Sequence, residues 1–401
     1  MAATDFADEQ AEFAPELAPF RAEVRDWMAD NLSGAFAALK HRGGPGDEDA
    51  FPDDRKVWEQ QLGNGGWTSL SWPTAHGGRD ASIEEQVVFF EEYAAAGGPG
   101  RSGHIGATLV APTLIALGTP DQQERFLPGI KAGTDYWCQG YSEPNAGSDL
   151  SNVRTKARLD GDEWVIDGQK IWTSNAHESD WCFVVARAVE GTQGRDGLVY
   201  LLVPLHQPGV TIKPIIQMTG TSEFNEVFFD GARTADSNRV GDVGAGWKIA
   251  MATLGFERGV STLGQQMLFR NEFDLVVRAA KDNGTYDDPL IRDRLAKMWA
   301  GLKIMRTNTI RTMSDPANAA LERAALMAKL YWASWHRDLG ALAMDAMGGN
   351  ADRITGGELS RLQRLFMFSR ADTLYGGTNQ IQRNIIAERA LQMPKEPRGD
   401  L

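Results

Sequence analysis

The spacing of apolar residues changes twice along this chain, and the order of those changes constrains the fold more than any other feature. Near the start, Phe13, Leu17, Phe20, Val24, Trp27 and Leu32 recur every three to four residues. That spacing lines one face of a helix and predicts a helix over residues 7–32. Further helices are expected at 54–63, 82–96 and 106–117, and Thr119-Pro120-Asp121-Gln122 reads as a capping box opening another at 120–132. From about Tyr136 the period becomes two. Trp164-Val165-Ile166 follows an Asp160-Gly161 turn, and Cys182–Val185, Val199–Val203 and Glu226–Phe229 have the β-branched and aromatic content of strands. After Gly246 the helical period returns over 247–282, 289–314, 317–347, 357–370 and 378–391, broken at clusters such as Asp282-Asn283-Gly284. The fold class is therefore α+β and multidomain. An N-terminal α-helical domain (1–134) precedes a central β-barrel or sandwich domain (135–244) and a C-terminal four-helix bundle (245–401).

Composition removes several functions. The net charge of −13 provides no footprint for nucleic acid. No run of 18 apolar residues exists, and the acidic start Ala7-Asp8-Glu9 lacks the features of a secretory signal, so no membrane span and a cytoplasmic location are expected. Cys138 and Cys182 have no zinc spacing and read as free, partly buried thiols. The six histidines include no pair at ligand spacing, so no metal is expected. Gly244-Ala245-Gly246 lacks the third glycine of a dinucleotide fingerprint and reads as the start of a helix.

Two loops at the first seam carry chemistry. Tyr141-Ser142-Glu143-Pro144-Asn145-Ala146-Gly147-Ser148-Asp149-Leu150 is a turn-rich loop with two hydroxyls six residues apart and a glycine that lets backbone N–H groups approach a ligand. By composition alone it is an ordinary loop. Downstream, Gly168-Gln169-Lys170-Ile171-Trp172-Thr173-Ser174-Asn175-Ala176 sets a Trp beside hydroxyl and amide groups. An indole face with a neighbouring hydroxyl suits an isoalloxazine ring, although a lone Trp is more often core.

Together with Tyr375-Gly376-Gly377-Thr378-Asn379-Gln380-Ile381-Gln382-Arg383 and with Ser71-Trp72-Pro73 and Gly77-Gly78, these motifs resemble the acyl-CoA dehydrogenase signatures in order and separation. The resemblance covers nearly the whole chain. It implies FAD held between the central and C-terminal domains and at a subunit interface, hence a homodimer, a homotetramer or a heteromer. It implies an acyl-CoA substrate and an electron-transfer flavoprotein as electron acceptor. By the same resemblance Tyr141, Ser142, Gly147, Ser148, Trp172 and Ser174 neighbour the flavin, with Trp172 on the ring, Ser174 near N5 and Ser142 at the pyrimidine end. Thr378 and Gln380 would meet the dinucleotide's phosphate and adenosine part, and Gly348 and Gly349, with Asn350, the neighbouring subunit's FAD.

The reaction removes an α proton as a hydride leaves the β carbon, so the thioester carbonyl must be polarised. The resemblance assigns that role to the Gly376 backbone N–H. Many members carry a glutamate base at this position, which glycine cannot replace. Others carry it on a bundle helix before an arginine, as in Leu254-Gly255-Phe256-Glu257-Arg258-Gly259, which makes Glu257 the base and Arg258 its support. Thr253, Leu254, Val260 and Ser261 share its helix face and offer no cation, so burial would raise its pKa.

Two departures stand out. The Arg-x-x-Phe-Gly clamp on the partner's FAD is replaced by Lys281–Asp288, with Tyr286 and Arg292 or Arg294 as partial substitutes. Asp345 stands where a Gln is common before the Gly-Gly loop, close to where phosphates are expected. Gly376 and Gly377 leave room for a branched, cyclic or otherwise wide acyl group. The rival readings are a non-catalytic subunit of a heteromer, and an oxidase or monooxygenase on the same fold.

Overall fold

The structure, a computed structural model, describes residues 15–256, 262–313 and 318–395. It runs from helices through a sheet of eight strands back to helices. The described residues of Met1–Ser33, Ser82–Gly98 and Thr262–Leu401 form one compact unit, and those of Gly34–Ala81 and Pro99–Ser261 a second.

In the second unit the helices are α2 (Pro52–Asn64), α4 (Ala111–Leu117), α5 (Pro120–Ala132) and α6 (Gly246–Phe256), while α1 (Ala18–Asn31) and α3 (Ile83–Ala95) belong to the first unit. The capping box of α5 is as expected, with Thr119 and Gln122 each bonding the other's backbone N–H. The helix expected at 106–117 opens with a π-helical turn, Gly106–Val110, before α4. Pro112 sits in the first turn of α4 and has no N–H to continue a regular ladder backwards.

The strands are β1 (Trp137–Gly140), β2 (Lys156–Asp160), β3 (Glu163–Lys170), β4 (Trp181–Arg187), β5 (Leu198–Pro204), β6 (Val210–Pro214), β7 (Asn225–Ala235) and β8 (Arg239–Val240). Their order is β6-β7-β3-β2-β4-β5-β8, with β1 parallel to β4. Cys182–Ala186 of β4 and Leu198–Val203 of β5 are buried throughout, alternating between two apolar clusters, which is why they read as unbroken apolar runs. Cys138 and Cys182 are free but fully buried, not partly buried, because they pair across β1 and β4.

In the first unit α1 is Ala18–Asn31, preceded by a 3-10 turn at Pro15–Leu17; residues of the expected 7–32 helix before 15 lie outside the described residues. α3 (Ile83–Ala95) begins at a Ser82/Glu85 capping box. Glu91 of α3 accepts from Arg21 of α1 at 2.8 Å and from Arg306 at 2.7 Å, tying these helices to the C-terminal ones.

The C-terminal helices are α7 (Thr262–Asp282), α8 (Pro289–Met313), α9 (Ala319–Ala325), α10 (Ala328–Met347), α11 (Arg361–Phe368) and α12 (Asn379–Ile385), the last continued by a π-helical turn, Ile386–Ala390. The stretch expected as one helix at 317–347 is two, because the chain turns at Leu326 and Met327 while the apolar period runs on. The helix expected at 357–370 is shorter: Gly356 and Gly357 have left-handed φ, and the Ser360/Gln363 capping box sets its start. Phe269, Phe273, Trp332, Trp335, Leu339 and Leu342 fill the core. Each such side chain stabilises by about 1.5–3 kcal/mol on burial.

Candidate functional site

The two glycine-rich and hydroxyl-rich loops of the second unit are joined by a buried ion pair. The Glu143 carboxylate accepts from the Lys170 ammonium at 2.8 Å and from the backbone N–H groups of Arg154 (2.6 Å) and Thr155 (2.9 Å). Lys170, 0% exposed, also donates to the carbonyls of Tyr141 (3.1 Å) and Val185 (2.8 Å). Burial pushes the Glu143 carboxyl up, but Lys170 and the surrounding donors hold it below its ordinary value. Ile171 N–H donates to the Ser142 carbonyl at 2.9 Å, so the two loops run side by side.

Immediately after this clamp the backbone turns left-handed at Trp172 (φ 59°) and again at Asn175 (φ 56°). A left-handed Trp is an outlier whose cost surrounding contacts must meet. Asn225, fully buried, exchanges backbone hydrogen bonds with Thr173 at 3.1 Å and donates its side-chain amide to the Thr173 carbonyl at 3.0 Å. Asn175 N–H donates to the Glu223 carbonyl at 2.7 Å. The Trp172 indole is 56% exposed and stands edge-on to Phe224, ring centroids 6.0 Å apart. Ser174, two residues on, and Ser142, whose carbonyl accepts from Ile171 N–H in the neighbouring loop, are half-buried, whereas Gly147 and Ser148 lie further along the Ser142 loop and are exposed. The Tyr141 side chain is 4% exposed and packs edge-on to Phe183 and Tyr200 beneath the loop.

In the first unit, Tyr375 N–H donates to the Ala371 carbonyl at 3.0 Å, and the chain then takes two left-handed residues, Gly376 (φ 60°) and Gly377 (φ 87°). Glycine is thus required here by backbone conformation, and the room it leaves is a consequence. Gln382 donates to the Gly376 carbonyl at 3.1 Å, and Thr378 caps α12 by accepting from Ile381 N–H at 3.2 Å. Gln380 is exposed one residue into the helix. Gly348 (φ 54°) ends α10 and begins the loop with Gly349, whose Asn350 donates to Asn283 at 2.7 Å. Asp345 pairs with Arg294 at 2.5 Å, so the charge read as a departure arrives with its own counter-ion. Tyr286 packs on the bundle core beneath the Lys281 ammonium.

Close to the Gly-Gly turn lies a group that the sequence reading did not single out. His336, fully buried on α10, holds Asp372 at 2.5 Å through Nδ1 and Glu272 of α7 at 2.8 Å through Nε2, with its ring stacked 4.1 Å from Phe269. Burial alone would lower its pKa, but the two carboxylates raise it to about 10. Glu143 and Lys170 stood inside the quoted motifs, and their buried charge was the available signal; nothing local marked His336, Asp372 or Asn225. Glu257 and Arg258 lie outside the described residues.

The candidate site thus offers an exposed indole, edge-on to Phe224, on a backbone tied down through Asn225. Comparison with known proteins gives the chain a class. Models of the acyl-CoA dehydrogenase N-terminal, middle and C-terminal domains match residues 14–134, 138–232 and 244–391. The chain belongs to the acyl-CoA dehydrogenase family: it is an FAD-binding flavoprotein oxidoreductase of lipid catabolism that dehydrogenates acyl-CoA. It is 56% identical over 386 residues to acyl-CoA dehydrogenase IpdE1 of Mycobacterium tuberculosis, covering 96% of this chain and 100% of that one. The IpdE1 of Mycolicibacterium smegmatis is 55% identical over 394 residues, with coverage of 96% and 100%. Among solved structures, the Tcur3481-Tcur3483 steroid ACAD aligns with a TM-score of 0.81 and 30% identity, covering 95% of this chain and 98% of that one. The ChsE4-ChsE5 complex from Mycobacterium tuberculosis aligns at 0.79 and 29%, again covering 95% and 98%. No helix among the described residues is long and apolar enough to cross a membrane.

Proposed function

We propose that this enzyme dehydrogenates the α,β bond of a bulky, ring-bearing acyl-CoA, with Glu257 as the α-proton base and an electron-transfer flavoprotein as acceptor. FAD, when bound, supplies the hydride acceptor. The observation that carries the reading is the exposed, left-handed Trp172, a conformation kept at a cost beside Ser174 and Ser142 in the order the family's flavin contacts take. Trp172 lies on the ring, Ser174 at its N5 edge and Ser142 at its pyrimidine end. Gly147 and Ser148 extend that loop along the cofactor, and Thr378 and Gln380 serve its phosphate and adenosine end. Gly348 and Gly349 face a partner subunit's cofactor. The Gly376 N–H, held out by the left-handed turn, polarises the thioester carbonyl while Glu257, supported by Arg258, takes the proton. The domain limits 1–134, 135–244 and 245–401 describe the three parts.

The steroid-ACAD likeness and the Gly-Gly turn both favour a steroid-derived acyl group. The absent Arg-x-x-Phe-Gly clamp, with two-protein assemblies among similar structures, favours pairing with a second, non-identical subunit that completes the FAD site. Anaerobic mixing with CoA thioesters tests the reading. A steroid-side-chain acyl-CoA is expected to bleach the flavin, and Glu257→Gln to slow that step on the order of a hundredfold. A near wild-type rate in the variant overturns the base, and faster bleaching by butyryl-CoA or octanoyl-CoA overturns the substrate class.

A further inference from the structure

The Gly376–Gly377 turn poses a physical problem. Two consecutive glycines in left-handed conformation lose more chain entropy on ordering than any other pair, so such a turn stays in place only if its flanks are braced. On its C-terminal side the brace is Gln382, which holds the Gly376 carbonyl. On its N-terminal side it is Asp372, completely buried, which accepts the Tyr375 hydroxyl at 2.5 Å on one carboxylate oxygen and His336 Nδ1 at 2.5 Å on the other. The Lys329 ammonium donates to the Asp372 backbone carbonyl and lies 5.5 Å from the centre of the Tyr375 ring.

Both partners of His336 are carboxylates, which accept and do not donate, so both of its ring nitrogens donate and the ring is an imidazolium. It neutralises Asp372 at a site where an unpaired buried carboxylate would be expelled or protonated. Glu272 of α7 holds the other ring nitrogen of the same cation, so α7 and α10 together determine where Asp372 sits, and Asp372 determines where Tyr375 sits.

We propose that His336, acting through Asp372, is the positioning residue for the Tyr375-Gly376-Gly377 turn, and therefore for the Gly376 N–H. The second clause rests on the reading of Gly376 as the group that polarises the thioester. His336 does not touch the substrate in this scheme. Its effect passes along the Nδ1–Asp372–Tyr375 hydroxyl line.

Amide hydrogen exchange on the full-length, FAD-loaded protein tests this, followed in peptides spanning 371–378 and in peptides from α7 and α10. Tyr375→Phe removes the hydroxyl link and leaves the His336–Asp372 pair intact. It is expected to speed exchange of 371–378 about tenfold, the equivalent of one charge-assisted hydrogen bond, with α7 and α10 unchanged. His336→Gln is expected to do at least as much. Wild-type exchange of 371–378 in Tyr375→Phe overturns the proposal, and keeps doing so if His336→Gln merely loosens the whole bundle. Steady-state kinetics on the same variants separate the two readings: a fall in kcat with KM little changed supports both. Faster exchange with unchanged kcat leaves His336 as the brace and removes Gly376 from the chemistry.

Discussion

The two units hold their candidate site loops by buried charge, but of opposite kind. In the unit bearing the sheet, a carboxylate does the capping: Glu143 collects two backbone N–H groups and the Lys170 ammonium, and Lys170 in turn collects two carbonyls. In the helical unit a cation does it, with the His336 imidazolium joining two carboxylates. The difference follows from what surrounds each loop. The loops beside Trp172 leave a β-ladder that already sets their register, so one ion pair suffices to stitch them and leaves enough rigidity to hold a left-handed Trp. The Gly-Gly turn leaves a helix bundle with no ladder to align it, and long-range side-chain charge takes over that role.

The comparison can be broken most forcefully at Lys170. Lys170→Met leaves Glu143 buried without its cation and is expected to cost about 3–5 kcal/mol in denaturant unfolding. Adding Glu143→Gln should recover much of that, because the second change removes the orphaned charge; a single variant that loses less than about 1 kcal/mol would mean the clamp is replaceable.

The opposite signs of the two clamps also predict opposite pH limits. The Glu143 carboxyl is held below its ordinary 4.5, so its contribution is complete above that value and disappears as pH falls through the lowered folded pKa. His336 is raised from 6.5 to about 10, so its contribution is complete below 6.5 and is lost as pH rises through about 10. The groups facing it are Glu272 and Asp372, with Tyr375 and Lys329 bound to Asp372. His336→Gln should flatten the alkaline arm of a stability profile, and Glu143→Gln the acid arm, each by about 2 kcal/mol. Identical profiles for the two variants would erase the distinction.

The smallest effect sharpens the claim about strain. At position 172, glycine should be more stable than alanine by about 1 kcal/mol, the reverse of the usual order in an ordered segment, because only glycine adopts the left-handed conformation freely. Both Trp172→Gly and Trp172→Ala should bind FAD on the order of tenfold more weakly in a titration of flavin fluorescence.

Much of this was legible in the residues. The helix–strand–helix order and the Thr119/Gln122 box came from local spacing alone, and the candidate flavin loops from their resemblance to the family's motifs. The length of α11 was less legible, since the Ser360/Gln363 box starts the helix at Arg361, inside a stretch expected to be helical from 357 to 370. The burial of Tyr141 was hidden because an aromatic residue at a loop start reads equally well as contact or core.

Periodicity, capping and turn chemistry act within a few residues, so the chain's own order determined its three-part architecture. The pairing of Glu143 with Lys170 spans 27 residues, and that of His336 with Asp372 and Glu272 spans 36 and 64. Partners so distant meet only after the strands and helices have packed. Tertiary structure alone therefore decided which charges are buried together, and with them which loops are held firmly.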